Sequence, residues 1–256
     1  MIPDPSNELF QNYERHYQDS GAARWQVPIP QVKERHLDRL PRWLDRIDRQ
    51  AHILDAGCAN GYMLSLLWDA GYHRLVGVEV SRQLATAARN NLSAQVIVEI
   101  SDVRAFLAQT ADGTFDVILF HHVLEHIPRE YTIGLLAEFY RCLKPDGYLS
   151  IKVPNASYLL AGNHCFCDFT HVVHFNERSL PQVLEAAGFD TRQLEFILHP
   201  PKLFWSWRKP HRALLRVLNR VRWILHRLSH QALCALIDQQ PVPKVFEAEL
   251  EALVQR

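Results

Sequence analysis

His52-Ile53-Leu54-Asp55-Ala56-Gly57-Cys58-Ala59-Asn60-Gly61 runs a short apolar segment straight into a turn that holds two glycines. Residues 52–56 read as a buried strand, and Tyr62 to Ala70 then carries helical periodicity. Glycine at such a junction permits positive φ and lets a ligand approach bare backbone. The following helix presents its N-terminal amides to the same turn, which suits an anionic group. Strand, glycine turn and helix in this order open a parallel α/β unit.

The alternation continues downstream. Leu75 to Val80 reads as a second strand, with Ser81 placed to cap a helix through Arg89. Ala94 to Ile100 is a third strand, and Phe115 to Phe120 a fourth after the Asp112-Gly113 turn. Tyr131 to Cys142 is helical, Lys144-Pro145-Asp146-Gly147 is a turn, and Tyr148 to Val153 is a fifth strand. Leu180 to Ala187 is helical and stops at Gly188. Short buried strands between helices predict a mostly parallel, doubly wound sheet with helices on both faces. Ligands of such sheets sit at the carboxyl ends of the strands, so functional residues should follow each strand.

Upstream, Val27-Pro28-Ile29-Pro30 interrupts any helix. Val32, Leu37, Leu40, Leu44 and Ile47 then predict an amphipathic helix from Gln31 to about Ile47. The chain divides into a helical cap segment (1–48), a core (49–199) and a helical C-terminal extension (200–256).

Of the 256 residues 48% are hydrophobic, enough for one large core. Lysine plus arginine (28) balances aspartate plus glutamate (28), so no global charge recruits nucleic acid or a membrane. Cys58, Cys142, Cys165, Cys167 and Cys234 form no spaced disulfide framework, and the polar stretch Met1 to Ser20 has no signal-peptide character. Free thiols in a reducing cytoplasm are expected.

The second strand ends in Glu79, about 20 residues beyond the glycine turn, where a carboxylate can accept hydrogen bonds from ribose hydroxyls. A nicotinamide fingerprint beginning at Gly57 needs glycine at positions 59 and 62, which are Ala59 and Tyr62. No G-K-[ST] follows, which excludes a Walker-type loop.

Here the sequence resembles the class I S-adenosylmethionine-dependent methyltransferases, of Rossmann-like fold. Leu54 to Gly61 looks like their glycine-rich signature, with Ala59 in place of the middle glycine and a slightly tighter turn expected there. Gly77-Val78-Glu79-Val80-Ser81, Ser101-Asp102-Val103, Phe115 to Ile118 with Val123 to Ile127, and Leu143 to Leu149 match later pieces in order, over roughly residues 50–190. The resemblance implies S-adenosyl-L-methionine as cofactor. Gly57, Cys58 and Gly61 would face its methionine end, and Glu79, followed by Val80, its ribose. Asp102 and Val103 would flank the adenine, and Phe120 and His121 would lie near the sulfonium. Asp55 would order the turn, while Tyr13 and Tyr17 either cover the cofactor or pack on the surface.

Methyl transfer chiefly needs nucleophile and sulfonium held together in a dry pocket, and an alcohol gains from a base. Two clusters supply candidates: His121-His122-Val123-Leu124-Glu125-His126 after the fourth strand, and His164 to His174 after the fifth. Glu125, His126 and His171 are the catalytic candidates, with His126 or His171 as base. The stretch from Asp168-Phe169-Thr170-His171 to Phe189 resembles a bacterial subgroup linked to cell-surface polysaccharide biosynthesis, which implies a saccharide or glycolipid hydroxyl as acceptor. No metal is assigned. The alternative is a cation: His122, Glu125, His126 and His171 resemble the Glu-x-x-Glu-His plus distant His set of metal-assisted RNA 3′-end methyltransferases, with His122 replacing a glutamate. Cys165 and Cys167 lack zinc-site spacing.

From Phe196 to Ile237 there are eight lysines and arginines and no acid. His211 to Leu228 predicts an amphipathic helix with Leu214, Leu218, Val221, Leu225 and Leu228 on one stripe and Arg212, Arg216, Arg220 and Arg227 on another. Three readings stay open: peripheral contact with the inner membrane face, packing on the domain or on a second subunit, or tracking of phosphates. No RNA-binding module accompanies the helix, which argues against nucleic acid. The sequence thus points to O-methylation of a small molecule, with an RNA methyltransferase or a non-catalytic cofactor-binding scaffold as alternatives.

Overall fold

A computed structural model describes residues 40–200, 210–237 and 243–256. Seven strands form one sheet in the order β3-β2-β1-β4-β5-β7-β6. The strands are β1 (His52–Ala56), β2 (Arg74–Glu79), β3 (Ile97–Ile100), β4 (Phe115–His121), β5 (Leu143–Pro154), β6 (Glu195–Ile197) and β7 (Glu249–Gln255). The helices are α1 (Tyr62–Asp69), α2 (Arg82–Asn91), α3 (Val103–Ala108), α4 (Arg129–Cys142), α5 (Ala161–Cys165), α6 (Ser179–Ala186) and α7 (Pro210–Ile237). The first five strands run parallel, as their alternation with helices predicts.

Alternate residues of each strand point to opposite faces, and two cores result. Leu54, Val76, Ile118 and Ile151 face α3, α4 and α6 through Leu107, Phe139 and Leu180. Ile53, Leu75, Val117 and Leu253 face α1 and α2 through Leu64, Leu67 and Ala85, together with Trp43. Both faces of the sheet are covered, which explains why its strands read as apolar runs. Ser81 caps α2 by accepting a hydrogen bond from Leu84 N, and Gly188, at φ +100°, follows α6 as expected.

Three expectations need correction. The run 31–47 is not one unbroken helix: Pro41 is extended at ψ 142°, and of its described residues only Arg42–Arg46 turn, as a short 3-10 helix. A proline inside a helix lacks the donor and clashes with the preceding turn. Residues 1–39, with Tyr13 and Tyr17, lie outside the described residues. Lys144-Pro145-Asp146-Gly147 is not a separate turn but an irregularity within β5, where the register with β4 jumps between Phe115↔Leu143 and Val117↔Tyr148. Asp146 takes φ +64° there.

The third concerns the C-terminal extension. The long helix is present as α7, but the chain then returns as β7, antiparallel to β5 over Tyr148–Pro154 and to β6 over Glu195–Ile197. The last residues are therefore an interior strand of the sheet, and both β6 and β7 go unread in the sequence. No described helix is long and apolar enough to cross a membrane.

Candidate active site

The turn after β1 is built by backbone strain that its sequence tolerates. Gly57 and Gly61 take φ +84° and +81°, and Ala59 takes φ +47°. A Cβ at Gly57 would collide with Val123 Cγ2, so only glycine fits where this turn meets the segment after β4. Gly57 N and Cys58 N both donate to Val78 O, tying the turn to the end of β2. Glu79, at that end, accepts from Ala59 N (2.9 Å) and Ser81 N (2.8 Å). Asp55 lies beside it, and both side chains are buried (4% and 7% exposed). Burial, reinforced by the charge of Glu79, pushes the Asp55 carboxyl up to about 7.

A second polar group occupies the carboxyl edge beyond β4. Glu125 is 2% exposed, and its Oε2 has no hydrogen-bond partner. The ligating atoms of Glu125, His126 and His171 all lie within 4.8 Å of one another. The two rings stack edge to face with centroids 4.8 Å apart. Thr170 Oγ1 donates to Asp168 Oδ1 (2.7 Å), so it accepts from His126 Nδ1 at 2.8 Å, and that ring carries its proton on Nδ1. His171 Nδ1 lies 3.0 Å from Cys165 O, which likewise calls for a proton on Nδ1. Burial holds His126 below its ordinary pKa despite the nearby Glu125 charge. The structure thus joins the two histidine clusters, 45 residues apart in sequence, through one buried carboxylate.

The other expected residues are placed as follows. Val80 is exposed just beyond Glu79. Cys58 turns inward: its Sγ packs under Gly77, and its thiol, pushed up by burial, joins the core. Phe120 has no exposed surface and meets Phe139 edge to face, so its side chain belongs to the core and not to the crevice. His121 lies 2.9 Å from Ser150 Oγ, and burial with the neighbouring Lys152 pushes it down to about 3. Asp102 is engaged as the cap of α3, accepting from Arg104 N and Ala105 N. Val103 is that helix's first residue.

A model of the methyltransferase domain matches residues 29–194, well over half of the chain. The chain belongs to the methyltransferase family. Among curated proteins, this methyltransferase is 33% identical over 151 residues to a ubiquinone biosynthesis O-methyltransferase of Paraburkholderia xenovorans, a match covering 55% of this chain and 63% of that one. It is 24% identical over 147 residues to a probable S-adenosylmethionine-dependent methyltransferase of Mycolicibacterium smegmatis, covering 57% and 55%. The chain therefore spans under two thirds of the length of these relatives. A solved SAM-dependent methyltransferase from Archaeoglobus fulgidus shares the fold, with a TM-score of 0.65, 20% identity, and coverage of 94% of this chain and 100% of that one.

S-adenosylmethionine is the cofactor of this methyltransferase family, and the glycine turn with Asp55 and Glu79 is of a kind that would hold it. Glu79 closes β2 beside the glycine turn, where its carboxylate would accept hydrogen bonds from ribose hydroxyls. Asp55 offers a buried carboxyl whose charged form a cationic ligand would favour.

The sequence reading missed one further constellation on the same edge. Glu251 of β7 is buried and receives Trp43 Nε1 (3.3 Å), Lys152 Nζ (2.9 Å) and His199 Nε2 (2.6 Å). His122, at φ +57°, stands 3.7 Å from Glu125 and 3.6 Å from Glu249, linking this network to the cluster above. No short-range signal marks Glu249 or Glu251, because only the pairing of β7 with β5 brings them here.

Proposed function

We propose that this methyltransferase methylates a hydroxyl oxygen of a small-molecule acceptor, with the Glu125–His126–His171 cluster handling the acceptor's proton. The observation that carries the reading is a juxtaposition. The buried Asp55–Glu79 pair at the ends of β1 and β2, and the histidine–carboxylate cluster after β4, occupy one edge of the sheet. When bound, S-adenosylmethionine supplies an electrophilic methyl on a sulfonium. The chain's own work is to hold the acceptor in line and take its proton. The O-methyltransferase name of the Paraburkholderia relative supports oxygen as the atom methylated. For acceptor class we take forward a saccharide or glycolipid hydroxyl, on the strength of the Asp168 to Phe189 resemblance.

Calorimetry with S-adenosylhomocysteine tests the crevice, and transfer of labelled methyl onto a panel of sugars, glycolipids and phenols tests the acceptor. His126→Ala and His171→Ala should each lower turnover at saturating cofactor by about 100-fold. Unchanged turnover in both would remove the histidines from the chemistry.

A second reading is favoured by the buried, unpartnered Glu125 Oε2: the same three residues hold a divalent cation that lowers the pKa of the acceptor hydroxyl. The Nδ1 bonds of His126 and His171 are the kind of outer contact that orients a ligating ring. Metal analysis of the protein dialysed against Mg²⁺, Mn²⁺ or Zn²⁺ decides between them. Full turnover after chelation sinks the cation.

A further inference from the structure

The helix α7 is held to the domain along one narrow face. Trp223 Nε1 donates to Glu247 Oε1 (2.8 Å), and its ring meets Phe246. His226 packs against Tyr158 and Phe246, and His230 Nε2 lies 2.9 Å from Ser157 O. At about 100° per residue these positions, with Cys234, share one side of the helix. Leu214, Leu218, Val221, Leu225 and Leu228 fall on the opposite side. The stripe that looks like a packing face in the sequence is 46–60% exposed. Arg222 lies beside the stripe, and Arg220, its guanidinium over the Trp223 ring, and Arg227 fall between the stripe and the docked face by the same geometry. Ser157 and Tyr158 follow β5, so the helix is seated at the carboxyl edge, beside the proposed acceptor site.

We propose that α7 lies on an anionic membrane surface, with the outward leucines among the lipid headgroups and acyl chains and the arginines at the phosphates. The helix is too polar to cross a bilayer, but an outward apolar stripe on a basic helix is the pattern that settles at its interface. A second copy of this chain is the weaker occupant. Residues 196–237 carry eight lysines and arginines and no acid, so two such helices would repel each other. Seated this way, α7 turns the acceptor edge toward the lipid, and the acceptor hydroxyl is lipid-borne. That last step rests on the methyl-transfer reading; membrane binding does not.

The test is sedimentation of the full chain with vesicles of phosphatidylcholine alone, or of phosphatidylcholine with about 30% phosphatidylglycerol. The protein should pellet with the anionic vesicles and be released as salt screens the charges. The double variant Leu218→Glu, Leu225→Glu should lower the partition constant by about 100-fold, with thermal midpoint and S-adenosylhomocysteine affinity unchanged. Equal partitioning of both proteins, or no pelleting of the native one, overturns the proposal. So does a native dimer that the double variant dissolves, which would make the stripe a subunit interface, or salt-sensitive binding to RNA in place of vesicles. Vesicle binding without S-adenosylhomocysteine binding would leave the anchor standing and fell the methyl-transfer reading.

Discussion

Replacing Asp55 by asparagine should make the protein more stable, and more so as pH rises. Burial, with Glu79 adding repulsion, lifts this carboxyl from 3.8 to about 7 in the folded chain. That is roughly 3 pH units at about 1.4 kcal/mol each, or about 4 kcal/mol in all. The sign follows from proton counting. Between the two values the unfolded chain has released the proton and the folded chain keeps it, so stability falls with rising pH and levels off above about 7. Asparagine keeps the shape and does not titrate. From about pH 5 to about pH 8 the native protein should lose about 3 kcal/mol that the variant retains. Urea unfolding of both proteins at the two pH values isolates the difference, because all other groups titrate alike in each. Parallel behaviour of the two proteins would show that Asp55 is ionised throughout, and would refute the account of the crevice as a buried carboxylate pair. The same argument predicts that a cationic ligand, by favouring the charged form, binds the native protein more tightly as pH rises to 7, while Asp55→Asn shows little such trend.

Other positions offer sharper and simpler tests. Ala59→Gly should stabilise the protein by about 1 kcal/mol in urea unfolding, because φ +47° is strained for any residue with a Cβ; a lower midpoint would contradict the strain. Gly57→Ala drives a methyl into Val123 at φ +84°, and should cost about 2 kcal/mol or more and abolish S-adenosylhomocysteine binding in calorimetry. Glu251→Gln should cost about 3 kcal/mol, since it leaves Lys152 without its buried carboxylate and weakens the bonds to His199 and Trp43. Because the hydrogen bond from His199 and the charge of Lys152 outweigh burial and hold Glu251 far below the ordinary carboxylate range, its contribution is present above an unfolded value near 4.5 and is lost as acid protonates it. A variant as stable as the native protein at neutral pH would mean that β7 does not depend on this network.

The amino-acid sequence by itself determined the local grammar of the core. The residue types of β1, the glycines at 57 and 61, the Ser81 cap and the apolar strands act through near neighbours: φ preference, a missing Cβ, a hydroxyl three residues from an amide. These terms are local, so the glycine turn and the five parallel strands could be read from the chain, along with Glu79 at the end of β2. The same short range produced the errors at its edges. Periodicity ran through Pro41, whose fixed backbone stops a helix.

What only the tertiary structure decided depends on distant pairings. The long helix looked like the start of an appendage, yet the chain comes back after it to insert β7 between β5 and β6. That insertion carries Glu249 and Glu251 to Lys152, His122 and His199. The meeting of Glu125 with His171 is likewise set by the return of the segment after β5, where Val172 N and Val173 N donate to Glu125 O. Whether the leucine stripe of α7 is buried or bare also depends on which face finds Phe246 and Ser157. Side-chain periodicity fixes the faces of a helix, and only the folded surroundings choose which of them is covered.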